Sequence, residues 1–155
     1  MDLSFNENQL LYVDTVRKLV KNEITPHILE MEKGHKFPWP LINKLWDMGM
    51  MNLCIPESVK GFEIDIFSSA LIIKELSYGD TGLSTSAMCN DLANVVISQR
   101  GTDEQKERFL RPFVEKPLLA SFCLTEPGAG SDNSLMTSFI AKQDDGTYVL
   151  NGSKC

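Results

Sequence analysis

Histidine is nearly missing from this chain: His27 and His35 are the only two in 155 residues. Neither stands near a plausible nucleophile in the sequence, so no Ser-His-Asp or Cys-His arrangement assembles from them. Both lie among charged neighbours in helical or turn sequence, the usual setting of solvated surface side chains. Cysteine is sparse and scattered. Cys54, Cys89, Cys123 and Cys155 form no CxxC pair and have no histidine close by. That excludes a zinc site and a disulfide framework, and the four read as buried small residues in a reducing compartment. Long apolar runs are absent too, none approaching the roughly 20 residues that span a bilayer. Met1-Asp2 opens onto amphipathic sequence rather than a basic-then-apolar signal, so the chain reads as soluble and unexported. Finally, positive charge is short. Fifteen Lys and Arg face 21 Asp and Glu, for a net charge of −6. With no basic stripe to offset that balance, nonspecific nucleic-acid binding is excluded.

What is present reads first as helix. Asn6 and Gln9 have capping-box spacing, and Val13, Val16, Val20, Ile24 and Ile28 follow at three- and four-residue intervals. Pro26 should kink this helix, because it removes a backbone donor. A second helix is expected from near Pro40, with Leu41, Leu45 and Met48 on one face and Gly49 as its stop. Asp65 can cap a third, carrying Ile66, Ala70, Ile73 and Leu76 as far as Gly79. A fourth opens at Asp80 or Thr81 and runs to about Arg100; its small and weakly polar residues predict close packing. Thr102 and Gln105 form another capping box ahead of Phe109, Leu110, Phe113 and Val114. The charged run Asp103 to Arg108 is the wet face of that helix.

After Pro117 the texture changes. Leu118 to Leu124 predicts a buried strand and Met136 to Lys142 a second, while Asp145-Gly146 signals a hairpin into Thr147-Tyr148-Val149-Leu150. The chain is thus expected to be mainly α, with an all-α domain over residues 1–116 and the start of a β domain over 117–155. About three strands are too few to bury a sheet face alone, which predicts a piece of a longer protein.

Between the first two predicted strands lies Phe122-Cys-Leu-Thr-Glu-Pro-Gly-Ala-Gly-Ser-Asp132. Pro, two Gly, Ser and Asp make a turn whose amides can face an anion. Gly128 and Gly130 invite a dinucleotide-fold reading, but the third glycine of that fingerprint falls on Asn133, and strand rather than helix follows. A ligand-free β-turn is the plain alternative. The density of Thr125, Ser131 and Asp132 around two glycines favours a binding loop, for phosphate or for a heteroaromatic edge. Glu126 is expected to tie the turn down rather than act as a base.

This segment resembles the flavin-binding signature of the acyl-CoA dehydrogenase family. Ile55-Pro56-Glu57, Glu75-Leu-Ser-Tyr-Gly79 with Thr81-Gly82, Gly101-Thr-Asp-Glu-Gln-Lys106 and Tyr148-Val-Leu-Asn-Gly-Ser-Lys154 resemble family segments in the same order and spacing. The similarity spans essentially the whole chain and is nearest to the medium- and short-chain members. The resemblance implies FAD as cofactor and an N-terminal helical domain leading into a barrel-like middle β domain. The implied reaction converts an acyl-CoA thioester to the trans-2-enoyl-CoA, with a glutamate base and an electron-transfer flavoprotein as acceptor. Family members are commonly tetramers. The implied compartment is a bacterial cytoplasm or the mitochondrial matrix.

By the same resemblance, Phe122, Leu124 and Thr125 line the flavin ring, with Thr125 on its pyrimidine edge. Gly130 and Ser131 lie by the cofactor chain, Ser131 also beside the CoA, and Ser84, Thr85, Met88 and Leu92 wall the acyl tail. No residue here matches the family's base, so these 155 residues alone are expected to be inactive, with weak or absent FAD retention. One departure stands out: the Ser58–Glu63 loop keeps a single glycine, Gly61, where the family usually carries a pair. Two other readings remain open, a non-catalytic helical module that binds a partner chain or acyl-CoA, and part of an acyl-CoA oxidase.

Overall fold

The computed structural model describes residues 4–34 and 36–155, so the reading of His35 lies outside the described residues. The backbone divides into two compact units, one through Ser121 and one from Phe122 to Cys155.

The first unit is helical. Helix α1, Glu7–Leu19, begins at the expected capping box: the Asn6 side chain accepts from the Gln9 amide, and the Gln9 side chain accepts from Asn6 N–H. Near Pro26 the chain winds through a π-helical turn, Val20–Ile24, and a 3-10 turn, Thr25–His27, before α2, Ile28–Gly34. Helix α3, Trp39–Asp47, starts slightly earlier than the sequence suggested, with Pro38 at its N-cap. Its buried residues are Ile42 and Leu45, while Leu41 is only half-buried and Met48 is 36% exposed. The expected Leu41–Leu45–Met48 face is therefore rotated by one position. Met48 falls on the C-cap, past the last turn that packs.

Helix α4, Ile66–Gly79, is capped by Asp65, whose carboxylate accepts from the Phe67 and Ser68 amides. It buries Ser68, Leu71, Ile72, Glu75 and Leu76, whereas Ile66 and Ala70 are exposed. The buried stripe is set by contact with α1, where Arg17 donates to both oxygens of Glu75 at 2.8 and 3.1 Å. Those bonds, foremost among the causes, hold the Glu75 carboxyl below its ordinary range. Helix α5, Thr81–Arg100, is capped by Asp80. Helices α6, Asp103–Phe109, and α7, Arg111–Glu115, complete the unit, α6 with the predicted Thr102–Gln105 capping box. Residues of α1, the π turn, α3, α4 and α5 share one apolar core, and Ile55, Val59 and Leu110 form a second cluster.

The single-glycine loop folds without a second glycine. Lys60 and Glu63 take positive φ (66° and 45°), sparing the β-branched Val59 and the bulky Phe62. Gly61 serves for close approach: a Cβ there would collide with the Ile55 carbonyl.

The second unit holds one antiparallel hairpin, β1 (Phe139–Lys142) and β2 (Tyr148–Asn151), in register Phe139 with Asn151 and Lys142 with Tyr148. Gly146 sits in its turn with φ 84°, where the sequence placed it. The second predicted strand is thus present in its later part. The first is not: Leu118 to Leu124 form no regular element and pair with no strand among the described residues.

The cysteine expectation is half corrected. All four are free, but Cys123 and Cys155 are exposed, and only Cys54 and Cys89 are half-buried. Cys123 follows the irregular backbone of its segment, which offers no packed face to bury it. Burial, first among its causes, pushes the Cys54 thiol far up, so it stays protonated and inert.

Candidate functional site

Within the second unit the loop from Phe122 to Asp132 is built around one turn. Glu126 and Ala129 exchange both backbone bonds, at 2.9 and 3.1 Å, with Pro127 and Gly128 at the corner. They are the two buried residues of this unit, 5% and 3% exposed. Proline presets the turn, and glycine allows the reversal.

The Glu126 carboxylate faces inward and accepts four bonds. Oε2 receives the Thr137 amide at 2.7 Å and its hydroxyl at 2.9 Å; Oε1 receives the Ser138 amide at 3.0 Å and Lys154 Nζ at 2.9 Å. Donation from Ser138, Thr137 and Lys154 holds this carboxyl far below the usual carboxylate range. Glu126 therefore ties the turn down, as the sequence suggested, and has no free lone pair aimed outward for base work.

Around this anchor two carbonyls of the loop are bonded while two of its hydroxyls are not. Thr125 O accepts from the Cys155 amide at 2.9 Å, and Leu124 O accepts from Lys154 Nζ at 2.9 Å. Among the described residues, no protein group bonds the hydroxyl of Thr125 or of Ser131, and both residues are exposed. A Cβ added at Gly128 or Gly130 would meet nothing within 4 Å, so both face open space. Phe122 is 43% exposed and Leu124 half-buried. Phe122, Leu124, Thr125, Gly130 and Ser131 thus lie on one short segment whose turn is fixed and whose donors are open. That donor set suits an anion or the carbonyl and N–H edge of a heteroaromatic ring. Asp132 is committed elsewhere, to the amide and hydroxyl of Ser134.

The α5 residues separate. Thr85, Met88 and Leu92, at i, i+3 and i+7, lie on the exposed face. Ser84 is 1% exposed and belongs to the seam with α4, where its Oγ accepts from Ser77 at 2.9 Å. It also reaches the Met88 sulfur at 3.9 Å. A cavity of about 860 Å³ in the helical unit, lined by Arg17, Val20, Lys74, Glu75 and Tyr78 among others, contains none of these residues. His27 is exposed and donates from Nδ1 to the Glu23 carbonyl, a local helix contact. Among the described residues, no group of three or more His, Cys, Asp or Glu could hold a metal, and no helix is long and apolar enough to cross a membrane.

Sequence reasoning missed Asn90. It is fully buried, donates from Nδ2 to Asn52 Oδ1 (2.9 Å) and Leu118 O (2.8 Å), and accepts from the Ala120 amide at 2.8 Å. It clasps the approach to residue 122 in place of a neighbouring strand. The clue was its place on the helical stripe Leu83–Ala87–Asn90–Asn94, where a buried amide needs partners.

The profile of the acyl-CoA dehydrogenase N-terminal domain matches residues 6–116. A probable mitochondrial medium-chain specific acyl-CoA dehydrogenase of Caenorhabditis briggsae is 35% identical over 155 residues, 99% of this chain and 38% of its own length. Butyryl-CoA dehydrogenase of Megasphaera elsdenii superposes with a TM-score of 0.89 at 33% identity, over 99% of this chain and 40% of that one. An acyl-CoA dehydrogenase of Bacillus anthracis, solved complexed with FAD, gives 0.86 at 29% identity, over 97% of this chain and 26% of that one. The fold is the one shared by the acyl-CoA dehydrogenases on which the chain superposes. The chain belongs to the acyl-CoA dehydrogenase family and carries its N-terminal domain. It spans about two fifths of the length of the curated relatives it matches.

Proposed function

We propose that the chain forms the helical domain and the opening of the middle domain of an FAD-dependent acyl-CoA dehydrogenase, which converts acyl-CoA thioesters to trans-2-enoyl-CoA. One observation carries this reading beyond family membership. The loop from Phe122 to Ser131 is internally fixed, yet it leaves the hydroxyls of Thr125 and Ser131 unbonded. The donor set fits one edge of the cofactor. Thr125 would hold its pyrimidine edge, Phe122 and Leu124 its ring, Gly130 and Ser131 its chain, and Ser131 also the CoA.

When bound, FAD supplies the two-electron acceptor. This chain's own residues bind and orient. Thr85, Met88 and Leu92 offer the acyl tail a wall, and Ser84 backs it from the core side through Met88. A buried methylene is worth about 0.8 kcal/mol, so such a wall selects chain length and leaves the barrier to other groups. Removal of the α-proton needs a base, and none is assigned among these residues; Glu126 is spent on the turn. Electron-transfer flavoprotein as acceptor, a homotetramer, and a bacterial cytoplasm or mitochondrial matrix complete the proposal for the longer protein.

FAD titration followed by absorbance, with acyl-CoA oxidation assayed alongside, tests the reading. The 155-residue chain should bind FAD weakly but saturably and turn over no thioester. Thr125→Ala and Ser131→Ala should each weaken binding roughly three- to tenfold, the worth of one hydrogen bond. Saturable acyl-CoA binding with no FAD binding would instead identify a helical binding module.

A further inference from the structure

We propose that Glu126 is the positioning residue of the Phe122–Ser131 loop. Its buried carboxylate gathers Thr137, Ser138 and Lys154 around the turn and so sets where the Thr125 hydroxyl stands. The proposal rests on the flavin reading in one respect, namely what that hydroxyl is presented to.

Glu126 is tied to the loop in three ways. First, its side chain joins segments that are distant in sequence, binding residues 11, 12 and 28 positions downstream. Second, its own backbone closes the turn with Ala129, so carboxylate and turn cannot shift independently. Third, Lys154 passes the restraint back, because the ammonium that meets Glu126 Oε1 also donates to Leu124 O. Thr125 is therefore flanked by a fixed carbonyl before it and a fixed residue after it, while its own carbonyl takes the Cys155 amide.

Charge and shape are both required. Glutamine keeps the length but replaces one acceptor oxygen with an NH₂ donor, which would point at donors already aimed inward. It also leaves Lys154, 28% exposed, without its counter-ion. Lys154→Arg preserves both a cation and multiple donors.

Amide hydrogen exchange and FAD titration on the wild-type chain, Glu126→Gln and Lys154→Arg test the proposal. Glu126→Gln should speed exchange at Thr137, Ser138 and Ala129 roughly tenfold or more, consistent with loss of charge-assisted bonds. It should leave α1, α4 and α5 protected and weaken FAD binding roughly tenfold. Lys154→Arg, with Glu126 intact, should keep both properties near wild type. Unchanged exchange in the loop would overturn the proposal, as would equal loosening of the helical core. So would a loosened loop with undiminished FAD affinity. A wild-type chain that takes no FAD while Glu126→Gln loosens the loop as described would sink the flavin reading and uphold the lock.

Discussion

Gly61 shows how one hydrogen atom can decide a backbone path. The Ile55 carbonyl accepts from Glu63 N–H at 2.9 Å and leaves no room for a methyl at position 61. Gly61→Ala should therefore destabilise the helical unit by about 1–3 kcal/mol, read as a lowered denaturant midpoint. The sequence marked this loop as a departure but could not say where positive φ would fall. It falls on Lys60 and Glu63, whose unbranched side chains tolerate it better than Val59 or Phe62. Glu126 was legible as a turn anchor because it sits beside Pro127. Its partners were not, since nothing local points from residue 126 to residue 154. The depressed Glu126 carboxyl also fixes a pH response. A carboxyl whose folded pKa lies below the ordinary 4.5 contributes stability that is fully present above that value and lost as pH falls through the folded pKa. Among the described residues, the charged group paired with it is Lys154. Loop amide protection should hold from neutral pH down to about 4.5 and disappear only in strong acid, as NMR-detected exchange across the titration would show.

At the scale of elements, the spacing of apolar residues explains the first helix. Val16, Val20, Ile24 and Ile28 repeat every four residues, whereas an α-helix turns every 3.6. Three such steps would carry the stripe about 120° around the helix. The wider π turn at Val20–Ile24 absorbs that drift and keeps Val20 and Ile24 buried, at 6% and 1% exposure. Pro26 announced an irregularity, but the π turn that precedes it was not anticipated. The residues 118–124 were harder to read. Their apolar run has strand chemistry, but a strand is defined by its neighbour, and a side chain took that place. Replacing Asn90 with leucine keeps the branched shape of the side chain while stranding the Leu118 carbonyl and the Ala120 amide. Asn90→Leu should cost about 2–3 kcal/mol, measured by chemical denaturation, and should raise exchange at Ala120 first.

For the molecule as a whole, order is unequally shared. The helical unit buries its apolar residues in two clusters, while the hairpin buries none: Phe139, Ile140, Tyr148 and Leu150 are 59 to 72% exposed. Two strands alone are marginal in water. Backbone amides of β1 and β2 should therefore exchange orders of magnitude faster than those of α1 and α4, checked in one exchange time course. The succession of helical and β sequence was legible because periodicity changes after Pro117. The thinness of the second unit was less so, because predicted strands do not announce which of them will pair. Among the described residues, each strand of that hairpin has one neighbour and one open side. In the vocabulary of polymer growth it is a bifunctional initiator, able to add an extended segment at either edge. Addition depends on concentration, so the practical ceiling on handling this chain is set by eight residues of sheet rather than by its core. A lysine in place of Ile140 or Val149 would raise that ceiling without touching a helix.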